Sequence, residues 1–257
     1  MYHSISDEDE SGLHPYYRVV TDSRRFAEQM QWLAEDGWSA VSLEEGLLRL
    51  ADDPSNGCRA VAITFDDGFR DFNLEAWPVL QRHGFTATMY LPTAFISRQR
   101  ISFCGRECLT WDEVRELRAG GIRFGSHTAT HPKLHELPWN SIEHEVASSK
   151  ARLEQELREE IGSFAYPYAF PQEDKNYRAT FANLLHRCGY RTCVTTVVGR
   201  TRAGDNPLCL RRLPVNSCDD RALFRAKLEG GYDWFGAVQG SLRRAKAWVK
   251  RTRRNRD

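Results

Sequence analysis

The sequence of 257 residues has no long apolar run, no strong net charge and no dense cysteine pattern. Without a run near the length of a membrane span, we expect no transmembrane helix. The formal net charge of +1 gives no argument for a nucleic-acid partner. Seven cysteines, an odd number without regular spacing, argue against a disulfide framework and predict reduced thiols. Because the chain opens into an acidic run at residues 7–10 instead of a basic, apolar leader, we expect a cytoplasmic location.

Apolar residues make up 41% of the chain, and they fall into two kinds of segment that alternate along it. Short apolar runs typical of strands, such as residues 60–65 and 122–126, alternate with amphipathic segments typical of helices. This alternation favours a parallel sheet with crossover helices, and about seven such units favour a barrel over an open sheet. We predict an α/β fold with one barrel domain at residues 1–234, followed by a basic C-terminal helix or tail at residues 235–257.

Two adjacent carboxylates, Asp66 and Asp67, follow the apolar run at residues 60–65 and precede Gly68. Two acids at the end of a buried strand destabilise a fold through desolvation and like-charge repulsion. We therefore predict that one of them binds a metal and the other is a general base. The alternative is an ordinary turn, since Asp-Gly is a common turn dipeptide.

Two histidines, His127 and His131, follow a later predicted strand, at residues 122–126. The C-terminal ends of parallel barrel strands open on one face, so these imidazoles should lie near Asp67. A spacing of four predicts that both rings lie on one side of a single helical turn. Two imidazoles and one carboxylate form the three-ligand set of a catalytic zinc site, and Asp66 would then accept a proton. The alternative is a pair of surface histidines without a ligand.

The segments Thr64-Phe65-Asp66-Asp67-Gly68 and Ser126-His127-Thr128-Ala129-Thr130-His131-Pro132 together resemble motifs of the polysaccharide deacetylase family, carbohydrate esterase family 4. Phe164-Ala165-Tyr166-Pro167-Tyr168 is similar to the third motif of that family. The resemblance implies a distorted (β/α)7-type barrel with parallel strands and outer helices, which hydrolyses N-acetyl groups of amino sugars. It also implies that Asp66 is the general base, that Asp67, His127 and His131 hold a divalent metal, usually Zn2+, and that the Tyr168 backbone N–H faces the oxyanion.

The sequence departs from the family pattern at two positions. Ala165 stands near the place of an arginine that pairs with the base in many members, and residues 208–215 lack the histidine that protonates the leaving amine. We hypothesise that Arg212 or Arg211 supplies the positive partner of Asp66, although both could be surface residues. His3 is one candidate for the general acid and could instead be a core histidine or one that only supports the site residues. A second candidate for the general acid is Asp66 itself, which would act first as the base and then as the acid.

The leading interpretation is a metal-dependent deacetylase that acts on an amino-sugar-containing glycan or a lipid-linked glycan precursor. One alternative is a small-molecule amidase or deformylase acting on non-peptide C–N bonds. Another is a catalytically weak carbohydrate-binding protein that retains the metal. The C-terminal segment contains eight Lys and Arg residues from residue 243 onward. These suggest either peripheral contact with the inner membrane surface or a solvated terminal helix.

Overall fold

The computed structural model describes residues 1–53, 59–236 and 239. The predicted basic C-terminal segment at residues 235–257 therefore lies almost entirely outside the described residues. Within the described part, no helix is both long enough and apolar enough to span a bilayer.

Twelve short strands occur in the described residues. In chain order they are β1 (Ser4–Ile5), β2 (Val20–Thr21), β3 (Ser39–Ala40), β4 (Ala60–Val61), β5 (Thr64–Phe65), β6 (Thr88–Leu91), β7 (Ser102–Phe103), β8 (Arg106–Glu107), β9 (Arg123–Ser126), β10 (Ser163–Ala165), β11 (Thr192–Val198) and β12 (Leu210–Arg212). Six of these described strands form one sheet in the order β12-β11-β10-β9-β6-β5. All of its pairings are parallel, as the alternation of strands and helices predicts.

Residues 1–3 join the two edge strands of this sheet. The backbone N–H groups of Tyr2 and Asp66 donate to the carbonyls of Thr64 and Tyr2, at 2.8 and 3.1 Å, so this segment lies beside β5. On its other side the Val215 N–H donates to the Met1 carbonyl at 3.1 Å, just beyond β12. The sheet is thereby curled into a distorted barrel, and the predicted fold class is confirmed.

The predicted single strand at residues 60–65 is wrong in one respect. Its first part, β4, pairs with β3 in a separate two-stranded sheet, and only β5 belongs to the main sheet. Periodicity alone does not reveal this change of partner, because both parts are short and apolar.

Seven α-helices cover the sheet in the described residues. They are α1 (Ser23–Glu35), α2 (Leu43–Asp52), α3 (Trp77–Arg82), α4 (Trp111–Ala119), α5 (Trp139–Leu157), α6 (Lys175–Arg187) and α7 (Arg221–Leu228). Side-chain caps fix where several begin: Ser42 accepts from the Glu45 N–H, and Thr110 forms a reciprocal capping box with Glu113. A cap of this kind typically stabilises a helix by about 1 kcal/mol.

The core between sheet and helices is rich in fully buried aromatic side chains, among them Phe65, Tyr90, Trp111 and Phe164. Gly125 in β9 is required by this packing, because a Cβ there would lie 2.5 Å from the Tyr90 ring. These contacts fix the strands whose C-terminal ends carry the polar residues described next.

Candidate active site

Three potential ligand atoms meet at the C-terminal ends of β5 and β9. The Nε2 atoms of His127 and His131 are 3.1 Å apart, and Asp67 Oδ1 lies 3.5 and 3.3 Å from them. All three atoms lie within 4.8 Å of one another, so this cluster could hold a metal ion. The structure thus brings together the three residues predicted to be ligands.

The environment of this cluster fits a cation. Asp67 Oδ1 is buried and has no hydrogen-bond partner among the described residues. Burial, with the neighbouring Asp66 charge, raises the pKa of Asp67 to about 8, while burial and His127 lower the pKa of His131 to about 3. The His127 Nδ1 lies 2.8 Å from the Ala165 carbonyl, and an N–H there leaves the Nε2 lone pair facing the cluster. Neutral imidazoles are ready ligands, and a bound divalent ion would stabilise Asp67 as the ionised carboxylate that completes the donor set.

The backbone around the cluster is strained. Asp67, Thr128, His131 and Tyr168 all adopt the left-handed region, with φ of 74°, 68°, 57° and 54°. Non-glycine residues rarely adopt this region, and such strain concentrates at functional sites. The predicted helical turn between His127 and His131 is therefore wrong, because an irregular loop with two left-handed residues brings the rings together.

Asp66 lies beside this cluster and is paired with a buried arginine. Arg212 Nη1 and Nη2 donate to Asp66 Oδ1 and Oδ2 at 2.7 and 2.8 Å, and Arg212 Nε donates to the Thr195 carbonyl at 3.0 Å. Both residues are buried, with 2% of Asp66 and 6% of Arg212 exposed. Burial alone would raise the pKa of Asp66, but Arg212 outweighs it and holds that pKa well below its usual range. Arg211 instead pairs with Asp205 at 2.9 Å, so the positive partner of Asp66 in the structure is Arg212.

His3 also faces this carboxylate. Its Nε2 lies 4.0 Å from Asp66 Oδ2, and 23% of its side chain is exposed. Burial lowers the pKa of His3 to about 4, despite the opposing effect of Asp66, so the ring is neutral near pH 7. The structure therefore places His3 beside the site, and its role as general acid or as a residue that only supports the site residues stays a prediction.

Tyr168 lies against one of the predicted ligands. The residue is 46% exposed, and its ring centroid lies 4.7 Å from that of the His131 ring. Its carbonyl accepts a hydrogen bond from Thr196 Oγ1 at 2.8 Å. Within the described residues its backbone N–H donates to no acceptor, so it is available to a ligand.

One residue at this site escaped the sequence analysis. Glu145, on α5, accepts hydrogen bonds from the backbone N–H groups of Ala129 and Thr130, in the loop between the two histidines. The sequence feature that could have revealed Glu145 is its position beside the apolar stripe of α5, directly before the buried Val146. Cys104 and Cys108, which lie on either side of β8, are free thiols and form no disulfide.

Comparison with known proteins agrees with this geometry. The sequence profile described as polysaccharide deacetylase matches residues 53–193, more than half of the chain. The chain belongs to the polysaccharide deacetylase family. Membership supports a hydrolase that acts on carbon–nitrogen bonds.

Two curated relatives of this family member differ in coverage. YxkH of Bacillus subtilis (strain 168), which carries the name of a polysaccharide deacetylase, is 27% identical over 229 residues, or 89% of this chain and 75% of YxkH. The poly-beta-1,6-N-acetyl-D-glucosamine N-deacetylase of Escherichia coli (strain K12) is 30% identical over 139 residues, or 49% of this chain. The match covers only 20% of that E. coli protein.

Solved structures show the same fold. The deacetylase PplD of Streptococcus pyogenes, in complex with acetate, superposes with a TM-score of 0.74 at 24% identity, covering 88% of this chain and 95% of PplD. IcaB from Ammonifex degensii superposes with a TM-score of 0.71 at 22% identity, covering 89% of this chain and 93% of IcaB.

Proposed function

We propose that this protein is a metal-dependent hydrolase that removes N-acetyl groups from the amino sugars of a glycan or glycan precursor. The observation that carries the proposal is the Asp66–Arg212 pair directly beside the Asp67, His127 and His131 cluster, in a member of the polysaccharide deacetylase family. The named activity of the E. coli relative supports an amino-sugar substrate.

Asp67, His127 and His131 would hold the metal. Two imidazole nitrogens and one carboxylate oxygen suit zinc, and Zn2+ is the first candidate. Such an ion, when bound, supplies Lewis-acid polarisation of an amide carbonyl and lowers the pKa of water to about 7. The His127 Nδ1 contact with the Ala165 carbonyl would orient that ring before any ion binds.

Asp66 would accept the proton of the attacking water. Arg212 keeps the carboxylate ionised and, through two hydrogen bonds, fixes its plane. Each carboxylate oxygen has a second lone pair, so pairing with Arg212 does not prevent Asp66 from accepting a proton. A general base works best when its pKa lies near the operating pH, so the low pKa of Asp66 would limit its strength as a base. Acidification of the water by a bound ion would lessen that limit.

His3 and Tyr168 would complete the proton and charge transfers. The His3 imidazole, whose Nε2 lies 4.0 Å from Asp66 Oδ2, would receive a proton and deliver it to the departing amine nitrogen. The second route is return of the proton by Asp66 itself. The Tyr168 N–H would donate to the oxygen that becomes negative in the transition state, a contact worth about 3 kcal/mol of the barrier.

Acetate release from N-acetylglucosamine oligomers, measured with and without a chelator, tests this function. We expect release that stops on chelation and returns when Zn2+ is restored. Formate release from small formylated amines, without acetate release from any amino sugar, would favour the amidase alternative. Metal and sugar binding without release would favour a binding protein. A lipid-linked substrate and contact of the basic C-terminal segment with the inner membrane surface stay predictions.

A further inference from the structure

A buried carboxylate on α5 clamps the loop that carries both predicted histidine ligands. Glu145 is 8% exposed, and its Oε2 accepts from the N–H groups of Ala129 and Thr130 at 2.9 and 2.8 Å. Its Oε1 accepts from Thr130 Oγ1 at 2.6 Å. All three hydrogen bonds therefore reach residues that lie between His127 and His131.

A second segment, the 3₁₀ turn at Thr93–Phe95, also holds this loop. There the N–H groups of Thr93 and Ala94 donate to the carbonyls of Thr128 and Ala129, at 3.2 and 2.8 Å. Two separate segments thus fix the loop, one through its N–H groups and one through its carbonyls. Since Thr128 and His131 both have positive φ, outside contacts must maintain a backbone that these residue types rarely adopt.

The choice of a carboxylate at this position is informative. Among the described residues no Lys, Arg or His forms an ion pair with Glu145, so its charge is compensated by the loop's donors alone. An ionised carboxylate only accepts hydrogen bonds, and it does so about twice as strongly as a neutral group. A glutamine could accept both N–H bonds through its carbonyl oxygen and donate its NH₂ group to the Thr130 hydroxyl, but it would lose the charge that strengthens these bonds. An ionised carboxylate therefore holds this loop more strongly than the corresponding amide would.

We propose that Glu145 is a positioning residue that holds the loop between His127 and His131 in its ligand-binding shape, so that metal affinity depends on it. This inference rests on the proposed metal site. It assigns to α5 a direct part in that site, in addition to its packing on the sheet.

Zn2+ affinity, measured by competition with a chromophoric chelator, tests the proposal in four variants. Glu145→Gln removes the charge, Glu145→Ala removes all three contacts, and Thr130→Val removes only the hydroxyl contact. Glu143→Gln is the matched control, because Glu143 lies on the same helix, is exposed and, among the described residues, forms an ion pair with Arg187 alone. Melting temperature in EDTA and the circular dichroism spectrum report on the metal-free fold of each variant.

We expect Glu145→Ala, which removes all three contacts, to weaken Zn2+ binding by about 10–100-fold, and Glu145→Gln and Thr130→Val to weaken it by less. Glu143→Gln should bind as the parent protein does. If the Glu145 variants bind Zn2+ as tightly as the parent, with or without a lower melting temperature in EDTA, Glu145 is only structural and the inference is wrong. If the parent itself binds no divalent ion, the proposed function fails first. Should Glu145→Ala not fold, Glu145→Gln and Thr130→Val decide the question.

Discussion

Replacing Arg212 by alanine should destabilise the protein strongly and change its pH dependence. Asp66 and Arg212 are both almost fully buried and share two hydrogen bonds of 2.7 and 2.8 Å. Removal of one partner leaves an uncompensated buried charge, which typically lowers the free energy of unfolding by about 3–5 kcal/mol. In a chain of this size the melting temperature falls by about 2–4 °C per kcal/mol, so a shift on the order of 10 °C is expected.

The sign of the pH effect follows from Asp66. In the parent its pKa lies below the unfolded value, so the pair stabilises the fold above about pH 4 and this stability is lost as the pH falls further. In Arg212→Ala burial dominates and raises the pKa of Asp66. The destabilisation relative to the parent should therefore be largest at neutral pH and smaller near pH 4. The acidic limb of the pH–rate profile should move to higher pH for the same reason.

Arg211→Ala is the matched control. Arg211 pairs with Asp205 near the surface and does not contact Asp66. The free energy of unfolding of Arg211→Ala should therefore differ from that of the parent by about 0–1 kcal/mol, with no dependence on pH between 4 and 7. Urea unfolding at pH 4, 5.5 and 7 in the presence of EDTA measures both variants. If Arg212→Ala loses the same unfolding free energy at all three pH values, or if the two variants lose the same amount, the role assigned to the buried pair is refuted.

Two further substitutions test other parts of the account. His3→Gln should lower kcat by about 10²–10⁴-fold and leave Zn2+ affinity unchanged, because the proposed role of the ring is to move a proton and not to bind the metal. A kcat equal to that of the parent protein would assign the general-acid role to Asp66. Gly125→Ala should destabilise the fold by about 3 kcal/mol in urea unfolding, since its Cβ would meet the Tyr90 ring at 2.5 Å. Gly46→Ala is the control for Gly125→Ala, because Gly46 lies in α2 and its added Cβ would lie at an ordinary 3.6 Å from Val41 Cγ2. This control should raise the free energy of unfolding by about 0.5–1 kcal/mol. Equal losses of unfolding free energy in the two variants would contradict the packing argument.

The strand ends and the residues that follow them were predictable from the sequence. Apolar runs mark where β5 and β9 end, and parallel strands bring their C-terminal ends to one face. This reasoning is enough to place Asp67 near His127 and His131. The division of residues 60–65 between two sheets was not predictable, because it depends on which strand becomes the partner.

The remaining details depend on tertiary contacts. Adjacent residues on a strand point to opposite faces, so the choice between Arg211 and Arg212 requires the register of β12. The left-handed backbone at Thr128 and His131 contradicts local preference and is maintained by contacts from distant segments. Glu145 reaches that loop from α5, and periodicity does not report such a contact.

The most direct measurement compares bound metal and acetate release in Asp66→Asn and Asp67→Asn, with both assays on the same purified samples. The two adjacent carboxylates have different proposed roles, one as general base and one as metal ligand. Asp66→Asn should therefore retain Zn2+ at parental affinity and release no acetate, whereas Asp67→Asn should lose Zn2+ affinity and release together. Equal loss of Zn2+ in both variants, or parental acetate release by Asp66→Asn, would contradict this division of roles.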